Sequence, residues 1–283
     1  MLAPGLYFAA QWGAGHYAWM SGWAAIPFHR FVHRSFIVMV VAGLGRFLRS
    51  LGFRENGELR RSLAGPRAKP LVLGIAVGFG SLAVVLGCGL LAGARVWRGE
   101  ITPGAVAGHF FSAIGAALAV AFLEELLFRW ALYGALRKVY ARGFALGVSS
   151  GIYALVHFFS RPEATLPITW WSGLALLPRM LRGFGEWQEL MPGFLNLLVV
   201  GWILAVAYER TGRLWLSIGL HGGWIFWLKT YAFWTRSGNA GWGWFWGGEK
   251  VIDGWAALGV LVFAWCSVNG VINRVNIARN RGE

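Results

Sequence analysis

The chain has 283 residues, of which 57% are apolar, 16% aromatic and only 13% charged, and its mean hydropathy is +0.54. Soluble proteins carry about 25% charged residues, so this composition excludes an ordinary soluble domain, and it is equally unlike a disordered or collagen-like chain. The net charge of +14 would suit nucleic-acid binding, but the basic residues flank long apolar runs, as they do in membrane proteins. We therefore expect an integral membrane protein that is surrounded by the lipid bilayer and binds no nucleic acid.

Stretches without Asp, Glu, Lys or Arg predict the membrane spans, because about 20 apolar residues suffice for a helix to cross a bilayer. Five such stretches follow one another along the chain: 70–94, 101–123, 143–160, 191–208 and 254–273. A sixth, 214–228, continues past Lys229 to Trp234, and the apolar residues before position 46 predict at least one further span. The predicted fold class is therefore all-α, a polytopic transmembrane helical bundle with about seven to eight spans.

The short connections predict the orientation of the chain, since Lys and Arg favour the cytoplasmic side of a membrane. The connection 46–69 holds seven basic and two acidic residues, which places it in the cytoplasm. Alternation of the spans then puts three further basic segments on the same side: 137–142, 209–213 and the tail 274–283. The first residues lack the basic start of a cleaved signal peptide, and together with this topology they predict a protein of a prokaryotic inner membrane.

The connections on the opposite side are 95–100, 161–190 and 236–250, and the last two are rich in tryptophan. We expect six of these rings to form an interfacial aromatic belt: Trp170, Trp171, Trp187, Trp242, Trp244 and Trp246. The two cysteines, Cys88 and Cys266, lie far apart within apolar runs. We expect them to be small buried hydrophobic residues rather than metal ligands or a redox pair.

The most informative polar residues are three charges inside a long apolar run, Glu124, Glu125 and Arg129. Charge at membrane depth is costly, which makes each of these groups a functional candidate. On a helix Glu125 and Arg129 lie about 40° apart, whereas Glu124 points about 140° away from Arg129. We expect Glu125 to neutralise Arg129 and Glu124 to act as a general base or acid. The simpler alternative is a charge cluster that only holds helices together.

Two histidines on separate predicted spans extend this group. His157 lies late in the stretch 143–160, and His221 lies within 214–228. A glutamate and two histidines can together hold and deprotonate a water molecule, so the three residues predict a hydrolytic site. The remaining histidines lack such neighbours, and we expect them at interfaces or in packing: His16, His29, His33 and His109.

At these positions the sequence resembles the CAAX protease and bacteriocin-processing family of glutamic-type intramembrane proteases, which includes the type II CAAX prenyl endopeptidases. The family's first motif, Glu-Glu-x-x-x-Arg, is met by Glu124, Glu125 and Arg129. Its second motif, an aromatic residue followed four positions later by His, is met by Tyr153 and His157. The resemblance divides the chain into N-terminal spans with the basic loop (1–103), the protease core (104–235), and the Trp-rich loop, last span and basic tail (236–283).

The resemblance implies an intramembrane endopeptidase that needs no cofactor and cleaves a peptide or membrane-protein substrate. It implies that Glu124 and His157 activate the attacking water, and that His221 helps to hold the oxyanion. Glu125 and Arg129 are then the residues that brace the site. In eukaryotic relatives the substrate is a prenylated C-terminal peptide, whereas bacterial relatives process or regulate peptides and membrane proteins or confer self-immunity.

The third motif of the family, His-x-x-x-Asn, begins at His221 but ends at Ile225. Isoleucine offers no hydrogen bond, and the loss of one oxyanion donor can cost about a hundredfold or more in rate. Trp224, Asn196 or a backbone group are candidate substitutes for the missing amide. The departure also leaves open a second interpretation, in which the chain is a catalytically weakened or inactive relative that acts as a membrane binding or immunity protein.

Three further interpretations compete for the same residues. Glu124, His157 and His221 are a plausible ligand set for zinc with an open fourth position, although the sequence has no His-Glu-x-x-His motif. The segment Gly147-Val148-Ser149-Ser150-Gly151 fits a serine-hydrolase pattern, but small residues in membrane helices usually serve close packing. A proton-coupled transporter would be expected to have two related halves, and the sequence contains no such repeat.

Overall fold

The structure is a computed structural model that describes residues 2–50, 55–65, 67–160, 162, 167–185, 187–238, 243–248 and 251–280. Most of these residues are helical, which confirms the predicted all-α class in its main feature. The chain divides into two compact units. The first comprises residues 1–52 and 156–187, and the second comprises residues 53–155 and 188–283.

The α-helices follow in this order: α1 (Leu2–His16), α2 (Phe28–Ser50), α3 (Glu55–Ser62), α4 (Ala68–Leu91), α5 (Pro103–Glu125), α6 (Gly134–Val139), α7 (Arg142–Val156), α8 (Ser172–Met180), α9 (Trp187–Thr211), α10 (Trp215–Trp234), α11 (Gly243–Trp246) and α12 (Ala256–Asn280). Short 3₁₀ segments cover Ala18–Ala25, Leu181–Phe184 and Val251–Asp253, and a π-helical segment covers Leu126–Tyr133. Two short strands are β1 (Arg95–Trp97) and β2 (Thr235–Ser237).

Four of the described helical stretches are long and apolar enough to cross a membrane: Ala68–Leu91, Pro103–Val139, Leu190–Thr211 and Ala256–Asn273. They coincide with four of the stretches that the sequence predicted as spans. Arg142–Val156 is a shorter apolar helix at the position of another predicted span. The chain is thus an integral membrane protein, and the total of seven to eight spans stays a prediction.

The longest helical stretch carries the Glu-Glu-x-x-x-Arg motif. α5, the π-helical segment and α6 run together as one stretch of 37 residues, Pro103–Val139, which is about 55 Å long. Thr102 caps its start, because its side chain accepts a hydrogen bond from the backbone N–H of Ala105 at 3.3 Å. Pro103 suits the first helical position, where no backbone N–H is needed.

Aromatic side chains hold the first unit together. The ring of Tyr7 in α1 makes edge-to-face contacts with Phe28 and Phe31 of α2, at centroid distances of 5.4 and 5.6 Å. Leu176 of α8 is buried in the same cluster. The Trp170 ring packs on Phe8 of α1. α1, α2 and α8 therefore share one small apolar core.

In the second unit, α4 and α10 touch backbone to backbone through two pairs of glycines. A Cβ atom on Gly74 would lie 2.5 Å from the carbonyl oxygen of Leu216, and a Cβ on Gly223 would lie 2.8 Å from the carbonyl oxygen of Ile75. Gly78 and Gly219 are packed at least as tightly against the facing helix. Each helix thus contributes a Gly-x-x-x-Gly motif, the arrangement that lets membrane helices approach most closely. This interface was not predicted, although the four-residue spacing of the glycines is visible in the sequence.

The centre of the second unit is α9, which is buried along the five residues 203–207. α9 lies against α7 at Gly201, where a Cβ would come within 3.0 Å of the Cα of Ser150 and 3.2 Å of the ring of Tyr153. The absence of a side chain at Gly201 therefore makes room for Tyr153. This contact fixes the position of the Tyr153 ring within the second unit.

Ion pairs join the basic connections at one end of the second unit. Lys138 donates to Glu58, and Arg142 donates to Glu209, both at 2.7 Å. These pairs link three of the four segments that the sequence placed on the cytoplasmic side. The structure therefore gathers them at one end, in agreement with the alternation of spans.

A small sheet closes the opposite end of the second unit. β1 pairs antiparallel with β2, with Arg95 opposite Ser237. Arg95 is 3% exposed, donates to Thr235, Ser237 and the carbonyl oxygen of Gly248, and stacks on the ring of Tyr231 at 4.5 Å. The all-α prediction did not include this sheet, because three-residue strands leave no readable alternation in the sequence. The buried Arg95 adds side-chain hydrogen bonds to the backbone pairing of the two strands.

The structure shows where the two cysteines and part of the predicted aromatic belt lie. Cys88 and Cys266 are exposed on their helices, so the expectation of buried cysteines was wrong. A cysteine on a lipid-facing helix surface also lies within an apolar run, and hydropathy alone does not separate the two cases. Of the predicted aromatic belt, the Trp170, Trp171 and Trp244 side chains are exposed, whereas Trp242 and the Trp187 side chain lie outside the described part of the chain.

Candidate active site

Two acids of α5 and one histidine of α10 form a buried cluster. Nδ1 of His221 lies 2.9 Å from Oε1 of Glu125, and Nε2 of His221 lies 3.7 Å from Oε2 of Glu124. Consecutive residues on a helix point about 100° apart, so the imidazole fits between the two carboxylates with one ring nitrogen facing each. Gly219 and Gly223 flank His221 at the interface with α4, and their packing sets the position of its helix.

The two carboxylates differ in their exposure. The Glu125 side chain is fully buried and that of His221 is 5% exposed, whereas the Glu124 side chain is 25% exposed. Only the Glu124 side of the cluster is therefore open to an approaching molecule. The sequence predicted different functions for the two acids, and this difference in access is consistent with that expectation.

Glu125 fixes the protonation pattern of His221. An ionised carboxylate only accepts hydrogen bonds, so Nδ1 of His221 carries the hydrogen and donates it to Glu125. The other nitrogen, Nε2, then has a lone pair in the neutral ring and a hydrogen in the protonated ring. Nε2 is therefore the nitrogen of His221 that faces Glu124 and does not bond to Glu125.

Arg129 pairs with Glu125 from the other side. Its Nε lies 3.4 Å from Oε2 of Glu125, the i,i+4 pair that the sequence predicted, and both side chains are buried. The carboxylate of Glu125 therefore bridges Arg129 and His221. Sequence reasoning gave Glu125 only the first of these two contacts, because His221 lies 96 positions away in the chain.

Tyr153 completes the cluster from α7. Its hydroxyl lies 3.4 Å from Nε2 of His221, and its ring packs on the guanidinium of Arg129 at 4.4 Å and edge-on against Phe128. The side chain is 2% exposed. In the sequence Tyr153 counted only as the aromatic residue of the second motif. Its hydroxyl was missed as a site group, although a Tyr in place of Phe was the available indication.

The helix changes geometry directly after the two acids. The π-helical segment Leu126–Tyr133 begins at the residue that follows Glu125, and Phe128, Arg129, Trp130 and Ala131 within it are all buried. π-helical turns are rare and occur frequently at functional sites. The sequence argument assumed regular α-helical spacing and did not predict this segment. The contact between Arg129 and Glu125 is nevertheless retained.

His157 follows directly on the last residue of α7 and is exposed. It belongs to the first unit of the chain, whereas Glu124 and His221 belong to the second. The partnership of Glu124 and His157 in activating water therefore stays a prediction.

One of the histidines that we expected in packing contacts is His109. Its ring stacks on the ring of Phe233 with a centroid distance of 4.0 Å.

Neither side chain proposed to replace the missing asparagine is available at the cluster. The indole N–H of Trp224 donates to Ser81 of α4 at 3.0 Å. The amide of Asn196 donates to the carbonyl oxygens of Ile252 and Gly254 at 2.8 and 2.9 Å. Both expectations were therefore wrong. The two groups hold neighbouring segments of the second unit in place.

The competing sites have less support. Ser149, the nucleophile position of the serine-hydrolase pattern, lies within the regular helix α7 and donates to the carbonyl oxygen of Leu146. Within the described residues no three His, Cys, Asp or Glu side chains are gathered as a metal site. The expectation that the protein works without a metal ion stays a prediction.

The apolar helices and the buried cluster of acids and histidine define an integral membrane protein with a candidate hydrolytic centre. A comparison with known families gives a match over residues 106–227 to the family described as type II CAAX prenyl endopeptidase Rce1-like. The matched segment contains every residue of the predicted site, and the resemblance inferred from the motifs is confirmed. Comparison with curated proteins and with solved structures gives no match.

Proposed function

We propose that this protein is an intramembrane endopeptidase that hydrolyses a peptide bond with Glu124, His157 and His221. The observation that carries the proposal is the bracketing of one imidazole by two adjacent carboxylates, Glu125 on Nδ1 and Glu124 on the side of Nε2. Such an arrangement provides a base and a charged donor within one small site. The family match over residues 106–227 supports a protease-type function independently of this geometry.

The reaction requires a base, an oxyanion donor and a proton for the departing amine. Glu124, assisted by His157, takes a proton from a water molecule, and the water oxygen forms a bond with the scissile carbonyl carbon. The carbonyl oxygen becomes negatively charged and accepts a hydrogen bond from Nε2 of protonated His221. When the C–N bond breaks, the proton held by Glu124 passes to the amine. The products are a carboxylic acid and an amine.

Glu125 and Arg129 position the site without touching the substrate. A carboxylate on Nδ1 orients an imidazole and stabilises its protonated form, as the acidic member does in hydrolase triads. Arg129 compensates the charge of Glu125, because a lone carboxylate at this depth would be costly. Both residues therefore act through His221.

We propose a peptide or membrane protein as the substrate, including peptides with a prenylated C-terminal CAAX-like sequence. His221 lies six residues after the first residue of α10, about 9 Å along the helix. Because α10 is expected to enter from the cytoplasm, the site opens in the cytoplasmic half of the membrane. We propose a prokaryotic inner membrane as the location.

The deciding experiment measures cleavage of a quenched-fluorescence peptide library, with and without C-terminal prenyl groups, by the full-length protein in nanodiscs. Cleavage by the wild type is expected, together with its loss in Glu124→Gln and His157→Ala. Glu100→Gln is the matched control, since it makes the same change at an exposed residue outside the cluster. Cleavage that persists in Glu124→Gln contradicts the mechanism.

A second candidate function rests on Ile225, which places an apolar side chain where the motif has asparagine. It describes an inactive relative that acts as a membrane binding or immunity protein. In that case the wild type and Glu124→Gln are equally inactive, while Ile225→Asn restores cleavage. The same peptide library distinguishes the two functions.

A further inference from the structure

We propose that the hydroxyl of Tyr153 is a catalytic hydrogen-bond donor that holds the oxyanion together with His221. The inference rests on the proposed peptidase function and assigns the second donor that Ile225 does not supply. Tyr153 thus has a chemical role in addition to its packing role. The hydroxyl donates its proton into a hydrogen bond and keeps it throughout, so no bond to Tyr153 is made or broken.

The distance between the two donors fits one shared oxygen. The hydroxyl oxygen of Tyr153 lies 3.4 Å from Nε2 of His221. Two donors at this separation can both reach a single oxygen at about 2.8 Å, with an angle of about 75° between the two hydrogen bonds. Preorganised donors of this kind are the usual means of stabilising a tetrahedral intermediate. The carboxylate of Glu124, the proposed base, lies 3.7 Å from the same Nε2.

The Tyr153 ring is held so that its hydroxyl keeps this direction. Phe128 packs edge-on against the ring at 5.1 Å and 89°, and the Arg129 guanidinium lies 4.4 Å from the ring centroid. Gly201 of α9 closes a further side, since even a Cβ there would come within 3.2 Å of the ring. A ring fixed by three neighbours loses little freedom when its hydroxyl binds an anion. That preorganisation is what a catalytic donor requires.

The surrounding charges favour a negative charge at this position. Arg129 and protonated His221 are the cations in contact with Tyr153, and Glu125 is already paired with both of them. The anion that develops during hydrolysis therefore meets two donors and a nearby guanidinium. Glu124 has by then accepted the proton of the attacking water and is neutral. The site thus carries its extra negative charge on the oxygen between Tyr153 and His221.

Ile225 and the two candidate substitutes, Trp224 and Asn196, do not provide this donor. Ile225 is apolar, and the indole N–H of Trp224 is engaged with Ser81. The side-chain amide of Asn196 donates its hydrogen bonds to two backbone carbonyl oxygens near α12. Tyr153 is the side chain of α7 whose hydroxyl the structure directs at Nε2 of His221.

The test compares Tyr153→Phe, which removes one oxygen atom, with Tyr208→Phe, which makes the same change in a tyrosine that bonds Ser62 far from the cluster. In the peptide-library assay, kcat of Tyr153→Phe is expected to fall on the order of 100-fold with KM nearly unchanged. Tyr208→Phe is expected to keep the wild-type kcat. In the Tyr153→Phe background, Ile225→Asn is expected to restore part of the activity.

The outcomes separate this inference from the proposed function. If Glu124→Gln abolishes cleavage while Tyr153→Phe retains the wild-type kcat, Tyr153 is not a donor and the peptidase function stands. An inactive wild type overturns both. Should Tyr153→Phe fail to fold, 3-fluorotyrosine at position 153 preserves the shape of the ring and makes the phenol more acidic. A more acidic phenol is a stronger hydrogen-bond donor, so kcat is expected to differ from that of the wild type, and an unchanged kcat overturns the assignment.

Discussion

The hydrogen bond between Nδ1 of His221 and Oε1 of Glu125, at 2.9 Å, joins the helix of the acidic motif to the helix of the third motif. It is buried, and it shares the Glu125 carboxylate with Arg129. One side chain thus links a buried ion pair to the imidazole that we propose to be catalytic. We therefore expect a change at Glu125 to affect both stability and activity, and a second mutation at Arg129 to separate the two effects.

Glu125→Gln is expected to reduce both properties. Removing one partner of a buried ion pair leaves Arg129 uncompensated, which costs about 3–5 kcal/mol of folding free energy. The amide also no longer stabilises a protonated His221, so kcat is expected to fall by at least tenfold. Unfolding in a denaturing detergent series and peptide cleavage measure the two effects. In the double variant with Arg129→Gln, stability is expected to return while activity does not, and recovery of activity would contradict the role given to Glu125.

The glycine contacts between α4 and α10 predict a second, purely steric effect on the site. Gly78→Ala forces a methyl group against the carbonyl oxygen of Leu220, next to His221, and is expected to destabilise the protein by about 1–3 kcal/mol and to lower kcat. Gly80→Ala, two residues along the same helix, meets nothing within 4 Å. This control is expected to stay within about 1 kcal/mol of the wild type. Equal effects of the two variants would show that close helix contact does not position His221.

Local spacing made part of the site predictable. Glu125 and Arg129 lie four residues apart on one helix, and their pairing follows from helix geometry alone. The contact of Glu125 with His221 depends instead on how α5 and α10 pack, and no local pattern encodes it. The same holds for the fold, because Gly74 and Gly219 are recognisable as small residues at helical spacing, whereas the sequence does not tell which glycines face each other. Tertiary packing decides these contacts.

Removal of metal ions tests whether the side chains of the cluster are sufficient for cleavage. In the proposed mechanism Glu124 takes the proton of the water and Nε2 of His221 holds the oxyanion, so cleavage is expected to need no metal ion. The protein is dialysed against a chelator, metal loss is verified by elemental analysis, and peptide cleavage is then measured. Unchanged kcat is the expected result. Activity that disappears with the metal and returns with added zinc would establish a metalloprotease instead.

The orientation in the membrane gives a final prediction, measured by labelling single cysteines with a membrane-impermeant maleimide. Cys88 and Cys266 are exposed and are first replaced by alanine. The substitution Arg60→Cys places a label site in the basic helix α3. The substitution Ser237→Cys places one in β2, at the opposite end of the second unit. Because basic connections remain in the cytoplasm, Ser237→Cys is expected to react in intact cells and Arg60→Cys only after permeabilisation. The reverse pattern would place the entrance at His221 on the outer face and would exclude cytoplasmic peptides as substrates.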